Sequence, residues 1–83
     1  KIIFVECKFH NLQGIKTDLK VSLYAKARFD DLREVSPFPS KTLGWLVTNT
    51  KFSADAIKYS LCAGVHLVAW DFPKNDGLKK MID

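Results

Sequence analysis

The fold is decided by the opening stretch KIIFVECKFH, residues 1–10. Four consecutive apolar residues, Ile2 to Val5, predict a buried β-strand, and Glu6 and Lys8 then interrupt the apolar run. Neighbouring side chains of a strand point to opposite faces, so Glu6 and Lys8, two positions apart, share one face. Burying a carboxylate and an ammonium group is unfavourable unless they are paired or bind a metal. A core strand that carries both therefore indicates a site of chemistry.

The composition indicates a small globular domain. The chain has 83 residues, of which 47% are hydrophobic, and this excludes an intrinsically disordered chain. No apolar run is long enough to span a bilayer, and the N-terminus lacks the zones of a signal peptide. Cys7 and Cys62 lie in apolar segments without metal-ligand spacing, so we expect buried, reduced thiols and a cytoplasmic protein. The net charge of +4 is compatible with a polyanionic partner.

The start of the sequence predicts that the chain belongs to something larger. It begins inside a strand and without an initiator methionine, so we expect a fragment of a longer protein. Three strands make a thin core, and a domain of this size buries a low fraction of its surface. We therefore expect strands upstream in the same protein, or a partner chain in a homo-oligomer, to cover the first strand.

Strand and helix signals alternate after the first strand. Thr17 is expected to cap the first helix and Asp18 to lie in its acidic first turn, Ser53 is the N-cap candidate of the second, and Gly64 is its C-terminal stop. The predicted segments are a helix over 18–34 with an apolar stripe on Leu19, Leu23, Ala27 and Phe29 or Leu32, a proline-rich loop over 36–40, a strand over 43–48, a helix over 54–63, a strand over 65–70 and a short helix over 78–82.

This βαβαβα order predicts a parallel sheet with helices on its faces. Apolar and polar residues do not alternate cleanly along the strands. We therefore expect the strands to be covered on both faces and to bury the aromatic residues and one histidine. Ligands of such sheets lie at the carboxyl ends of the strands, where the loop over 49–52 is expected to meet Glu6 and Lys8. The expected core side chains are Phe4, Phe9, Tyr24, Trp45 and His66, with Trp70 left undecided.

Two segments together resemble a known nuclease superfamily. Glu6-Cys-Lys8, on an apolar strand followed by a long helix, resembles the half-motif of the PD-(D/E)xK restriction-endonuclease-like superfamily. The segment LVTNTKFSADA, residues 46–56, is similar to the strand-to-helix segment of Mrr-type endonuclease domains, and also to Mrr-like domains attached to an ATP-cone module. The resemblance covers nearly the whole chain. It implies an α/β fold with a three-layer restriction-endonuclease-like core around a central mixed sheet, of which this chain is a βαβαβα portion without the upstream hairpin strands.

The resemblance also implies roles for three residues. Glu6 and the backbone carbonyl of Cys7 would bind Mg²⁺ or Mn²⁺, and Lys8 would hold the attacking water or stabilise charge on the phosphate. The family places a further Asp on the preceding strand, which this sequence does not contain, so only part of the metal site is present. The alternative is that Glu6 and Lys8 form a structural ion pair at a strand end.

Other candidate residues surround the expected site. His10 could reach the phosphate or the metal, and is otherwise a surface histidine. Lys16, Lys20 and Lys51 flank the expected site and would contact DNA phosphates, or are ordinary solvated lysines. The helix that begins after Ser53 could hold a phosphate through its free amides, or is simply capped.

The sequence therefore predicts a magnesium-dependent DNA endonuclease domain. A non-cleaving nucleic-acid-binding or regulatory module on the same scaffold is the first alternative. A βα interaction domain, in which Glu6 and Lys8 only pair, is the second. Because a metal ligand is missing, we expect these 83 residues alone to cleave DNA weakly or not at all.

Overall fold

The elements alternate between strand and helix along the described part of the chain. The computed structural model describes residues 2–11, 14–70, 72 and 77. Its elements are β1 (Ile2–Lys8), α1 (Leu19–Val35), a 3-10 turn (Pro39–Lys41), β2 (Thr42–Thr48), α2 (Ala54–Ala63) and β3 (His66–Val68). The predicted βαβαβ order is confirmed, whereas the predicted helix over 78–82 lies outside the described residues. Within the ranges just given, no helix is long and apolar enough to cross a membrane.

The three strands form a parallel sheet in the order β1-β2-β3. Glu6 lies opposite Leu46 and Lys8 opposite Thr48, so the carboxyl ends of β1 and β2 are level. The loops that leave these ends, together with the residues after β3, form one edge of the sheet. We call this the carboxyl edge, and it comprises residues 8–11, 48–53 and 69–70.

Local signals define both helices. The side chain of Asp18 accepts a hydrogen bond from the amide of Val21 at 3.3 Å, so Asp18 caps α1, and the expectation that Thr17 is the cap and Asp18 lies in the first turn is wrong by one residue. Ser53 caps α2 by accepting from the amide of Ala56, as predicted. Gly64 ends α2 with a φ of 77°, a left-handed conformation that glycine adopts without a Cβ clash.

Both helices lie on one face of the sheet. Each crossover moves to the next strand in the same direction, so right-handed connections place both helices on the same side. The core lies between this helical layer and the sheet, and its buried members are Ala25, Phe29, Leu46, Phe52, Ala56, Val65, Leu67 and Ala69.

The opposite face of the sheet is uncovered at β1 and at the start of β2 in the part of the chain that the structure describes, whereas Val68, on the same face of β3, is buried. On it, Ile3 is 44% exposed, Val5 55% and Leu43 39%. The expectation that the strands are covered on both faces is therefore wrong for β1 and β2. The described residues make two layers and a parallel sheet, and the three-layer core with a mixed sheet remains a prediction.

The buried face of α1 differs from the predicted stripe. Ser22, Ala25 and Phe29 are buried, whereas Leu23 and Ala27 are exposed. Gly44 explains the difference, because a Cβ at Gly44 would clash with the Phe29 ring. Because Gly44 has no side chain, the Phe29 ring packs against the backbone of β2, and this contact determines which side of the helix faces the sheet.

Several expected core side chains are exposed. Phe9, beyond the end of β1, and Tyr24, on α1, are both exposed, whereas Phe4 packs against the core. His66 is exposed on the uncovered face, where its ring lies 4.3 Å from that of the partly buried Trp45. The two cysteines, expected to be buried, are free but exposed: Cys7 alternates onto the uncovered face, and Cys62 lies on the outer side of α2.

Candidate functional site

The side chains of Glu6 and Lys8 line one groove between β1 and α1. Strand alternation places both side chains on the helix-bearing face, and the groove has a volume of about 400 Å³. Lys20, in the first turn of α1, faces the same groove. The lining residues are Glu6, Cys7, Lys8, Lys20, Val21 and Tyr24. The structure thus brings together four of the residues that the sequence singled out: Glu6, Cys7, Lys8 and Lys20.

The expectation that Glu6 and Lys8 are buried is wrong. Lys8 is exposed, and the side chain of Glu6 is 31% exposed. β1 is an edge strand of the described sheet, and both groups keep contact with water. Partly exposed charges do not by themselves require a chemical role, so the geometry of the groove has to support a site.

The carboxylate of Glu6 contacts Arg28 rather than Lys8. Arg28 Nε lies 3.3 Å from Glu6 Oε1, and Arg28 also donates to the Tyr24 hydroxyl at 3.4 Å. The pKa of Arg28 is raised above its already high usual value. The largest cause is the hydrogen bond to Tyr24, followed by the electrostatic interaction with Tyr24 and then by that with Glu6. Arg28 is therefore a permanent cation beside Glu6, and the predicted alternative of a Glu6–Lys8 ion pair is wrong.

A chain of hydroxyl groups lies behind the groove at the carboxyl edge. Thr17 Oγ1 donates to Thr48 Oγ1 at 2.9 Å, and Thr48 Oγ1 lies 3.3 Å from the hydroxyl of Thr50. These three threonines are at most 5% exposed. His10 Nε2 joins the chain 3.2 Å from Thr17 Oγ1, so the imidazole faces the threonines.

The loops that carry this network are tied together by backbone groups. The side-chain amide of Asn49 accepts from the His10 amide at 2.9 Å and donates to the His10 carbonyl at 3.0 Å. Thr17 N donates to the Lys51 carbonyl, and Ser53 N donates to the Thr17 carbonyl. The segments after β1 and after β2 therefore form one connected surface.

The sequence predicts this network only in part: Thr48 at the strand end could hydrogen-bond near the site or form a structural turn, and His10 is a candidate. Thr17 is predicted only as a helix cap, and Thr50 only as part of an exit loop. The available signal was the Thr-Asn-Thr sequence over 48–50, in which short polar side chains follow an apolar strand at the end where ligands bind.

The remaining predicted residues lie elsewhere on the carboxyl edge. Lys16 and Lys51 line a second, smaller pocket of about 120 Å³, together with Gly14, Ile15, Asn49, Thr50 and Trp70. Ser53 lines neither pocket. Its hydroxyl lies 2.5 Å from the carboxylate of Asp55, so the start of α2 already holds a negative group where a phosphate would bind.

The groove satisfies part of the requirement of a magnesium site. Mg²⁺ is commonly bound by one or two carboxylates, waters and substrate phosphate, and Glu6 supplies one carboxylate. In the described ranges, no group of three His, Cys, Asp or Glu side chains could hold a metal ion. The donor set of Glu6 and the Cys7 carbonyl therefore fits such an ion only with a further ligand from residues that the structure does not describe.

Two comparisons found proteins similar to this chain, one in sequence and one in both sequence and fold. The chain is 39% identical over 79 residues to an uncharacterized protein from Archaeoglobus fulgidus, covering 95% of this chain and 42% of that protein. It is also similar to the crystal structure of a protein of unknown function, with a TM-score of 0.85, 39% identity, and coverage of 95% of this chain and 40% of the other. No family model matches the sequence. The chain thus spans less than half the length of the relatives it matches.

Proposed function

We propose that this chain is part of a metal-dependent DNA endonuclease of the PD-(D/E)xK superfamily, of Mrr type, acting in the cytoplasm. The observation that carries the proposal is the groove in which Glu6, Lys8 and Lys20 lie together beside the carboxyl half of β1. A carboxylate next to two ammonium groups provides both a ligand for a divalent cation and positive charge for a phosphodiester.

Each group has a distinct task in this proposal. Glu6 and the Cys7 carbonyl would hold Mg²⁺ or Mn²⁺, and the ion would supply a hydroxide from water and neutralise the phosphate. Lys8 orients the attacking water and stabilises the negative charge that develops on the phosphate. Lys20 holds a neighbouring phosphate and so positions the duplex without reading its sequence.

The missing metal ligand has a natural place beside β1. In the sheet formed by residues 2–70, β1 pairs with β2 alone, so its outer edge can accept another strand. A strand paired there would run beside Glu6, which is where the superfamily resemblance places an acidic ligand. We therefore propose that the longer protein completes the site with an Asp or Glu on a strand next to β1.

A cleavage assay tests the proposal. The longer protein that contains this chain is incubated with supercoiled plasmid and Mg²⁺, and nicked product is followed over time. We expect nicking that requires Mg²⁺ and that falls by about 100-fold or more in both Glu6→Gln and Lys8→Met, because each removes a group that acts on the reacting phosphate.

Matched controls remove the same charges far from the groove. Glu34→Gln and Lys41→Met alter exposed residues at the opposite end of the sheet, near the contact of Arg33 with the Thr42 carbonyl. Both control variants should retain nicking. Cleavage that survives Glu6→Gln, or that is lost equally in Glu34→Gln, would show that the groove is not the active site.

A non-cleaving nucleic-acid-binding module is the second candidate. The contact between Arg28 and Glu6 favours it, because a cation already lies beside the carboxylate that would bind the metal. In that case the longer protein would bind DNA without nicking it, and Glu6→Gln would leave the affinity for DNA unchanged.

A further inference from the structure

We infer that the smaller pocket at the carboxyl edge, lined by Lys16, Lys51 and Trp70, binds one unpaired base of DNA, with the base stacked on Trp70. The inference shares its DNA partner with the proposed function, and so rests on it for that partner. It concerns a different surface and requires neither Glu6, Lys8 nor a metal ion.

The position of the pocket is the first argument. It lies between the loop before α1 and the loop after β2, with the residues that follow β3 as its third side. Ligands of parallel α/β sheets bind in this place, outside the carboxyl ends of the strands. The hydroxyl network ties the same loops together, because Thr50 and Asn49 contribute to both.

The walls of the pocket are the second argument. Trp70 is 40% exposed and Ile15 43% exposed, so each presents apolar surface to the pocket. The backbone amide of Trp70 donates to the Thr50 carbonyl at 3.2 Å, and this fixes the backbone that carries the indole. Both ends of the Asn49 amide are bound to His10. The pocket therefore has a preformed aromatic wall.

Size and charge select the ligand. A volume of about 120 Å³ suits a single planar ring system and excludes a base pair. Lys16 and Lys51 both line the pocket beside the apolar surface of Ile15 and Trp70, so cationic residues lie next to its aromatic wall. An uncharged apolar ligand gains nothing from these lysines, whereas a nucleotide matches both features, with the base against the indole and the flanking phosphates against the lysines.

Fluorescence of Trp70 tests the inference. These 83 residues contain two tryptophans, so Trp45→Phe leaves Trp70 as their single tryptophan, and its signal is the difference between Trp45→Phe and Trp45→Phe with Trp70→Phe. A short single-stranded oligothymidylate is titrated in EDTA. We expect quenching of Trp70 on binding. Trp70→Ala should weaken binding by about tenfold or more, because stacking of one base contributes roughly 1–3 kcal/mol.

The matched controls separate stacking from charge and from folding. Trp45→Phe alone should bind normally, because Trp45 lies on the uncovered face against His66. Trp70→Phe keeps an aromatic ring and should bind more tightly than Trp70→Ala, and circular dichroism checks that both variants are folded. Lys16→Met should weaken binding and reduce its dependence on salt.

Three results would overturn the inference. The first is an oligonucleotide of abasic sites that binds as tightly as the oligothymidylate. The second is binding without any change in Trp70 fluorescence. The third is a free nucleotide, thymidine monophosphate, that binds as tightly as the oligonucleotide, since the ligand would then not be DNA.

The assay distinguishes failure of this inference from failure of the proposed function. It runs without metal and is repeated in the Glu6→Gln background, so base binding can be found in a protein that does not cleave. Conversely, magnesium-dependent nicking that persists in Trp70→Ala, together with unchanged oligonucleotide affinity, would leave the nuclease proposal standing and remove the base pocket.

Discussion

The carboxylate of Glu6 lies near cations on its own strand and on α1, and its contact with Arg28 determines how readily it can bind a metal. Arg28 lies 3.3 Å away, on α1, and is held there by Tyr24. Both side chains of the pair are partly exposed, so solvent screens the interaction and its contribution to stability is small. At the residue scale, Arg28 therefore matters less for folding than for the local charge around Glu6.

Replacing Arg28 should strengthen metal binding in the groove. In Arg28→Gln the positive charge beside Glu6 is removed, so we expect the affinity for Mn²⁺ to rise by at most about fivefold while the thermal midpoint stays nearly constant. Isothermal titration calorimetry of the longer protein measures this affinity.

A matched variant on the same helix controls for net charge. Lys26→Gln removes one positive charge from the exposed pair between Lys26 and Asp30, which is not among the lining residues of the groove. This variant should leave Mn²⁺ binding almost unchanged. An equal rise in both variants would mean that overall charge, and not the contact with Glu6, governs the affinity.

At the scale of the elements, local sequence signals determine where a helix begins and ends, whereas tertiary contacts determine which face of it is buried. Ser53 and Gly64 act within a few residues, and the predicted bounds of α2 agree with the structure. The period of a strand is likewise local, so Glu6 and Lys8 were correctly assigned to one face. The buried face of α1 was not predictable in this way, because it depends on the contact between Phe29 and Gly44, fifteen positions apart.

In the candidate site too, features that depend on local sequence could be predicted, and features that depend on tertiary contacts could not. The shared face of Glu6 and Lys8 follows from strand alternation, which is a local property of the sequence. The threonine network and the pocket at Trp70 join residues from separate loops, such as Thr17 and Thr48 or His10 and Asn49. No local pattern encodes such pairings, so only the assembled sheet reveals them.

A methyl group at Gly44 should separate α1 from the sheet. Gly44 is buried in β2, and an added Cβ would overlap the ring of Phe29. Because this ring is itself only 4% exposed, it has little room to move. We expect Gly44→Ala to lower the free energy of unfolding by about 1–3 kcal/mol, the usual range for overpacking, as measured by urea denaturation.

A double-mutant cycle identifies the cause. Phe29→Leu alone should destabilise the protein by opening a cavity, but adding Gly44→Ala to it should cost less than Gly44→Ala costs alone. Additive effects of the two substitutions would show that the Phe29 contact does not set the position of the helix.

At the scale of the whole molecule, the two faces of the sheet differ sharply. Leu46 on the helix-bearing face is completely buried, whereas Val5 on the opposite face is 55% exposed, and Ile3 and Leu43 extend the same apolar surface. Parallel sheets are normally covered on both faces. The helix-bearing face therefore carries the core of this chain, and the other face is stabilised little by the residues that the structure describes.

Equivalent polar or small substitutions on the two faces should therefore have unequal effects. In the 83-residue chain, Leu46→Ala should lower the free energy of unfolding by about 2–5 kcal/mol, because it leaves a cavity in the core. Val5→Thr keeps a β-branched side chain on an exposed strand position and should change it by less than about 0.5 kcal/mol. Urea denaturation at two protein concentrations measures both. If Val5→Thr proved as costly as Leu46→Ala, and its cost grew with protein concentration, the exposed face would be buried between two copies of the chain, and the one-sided core would be wrong.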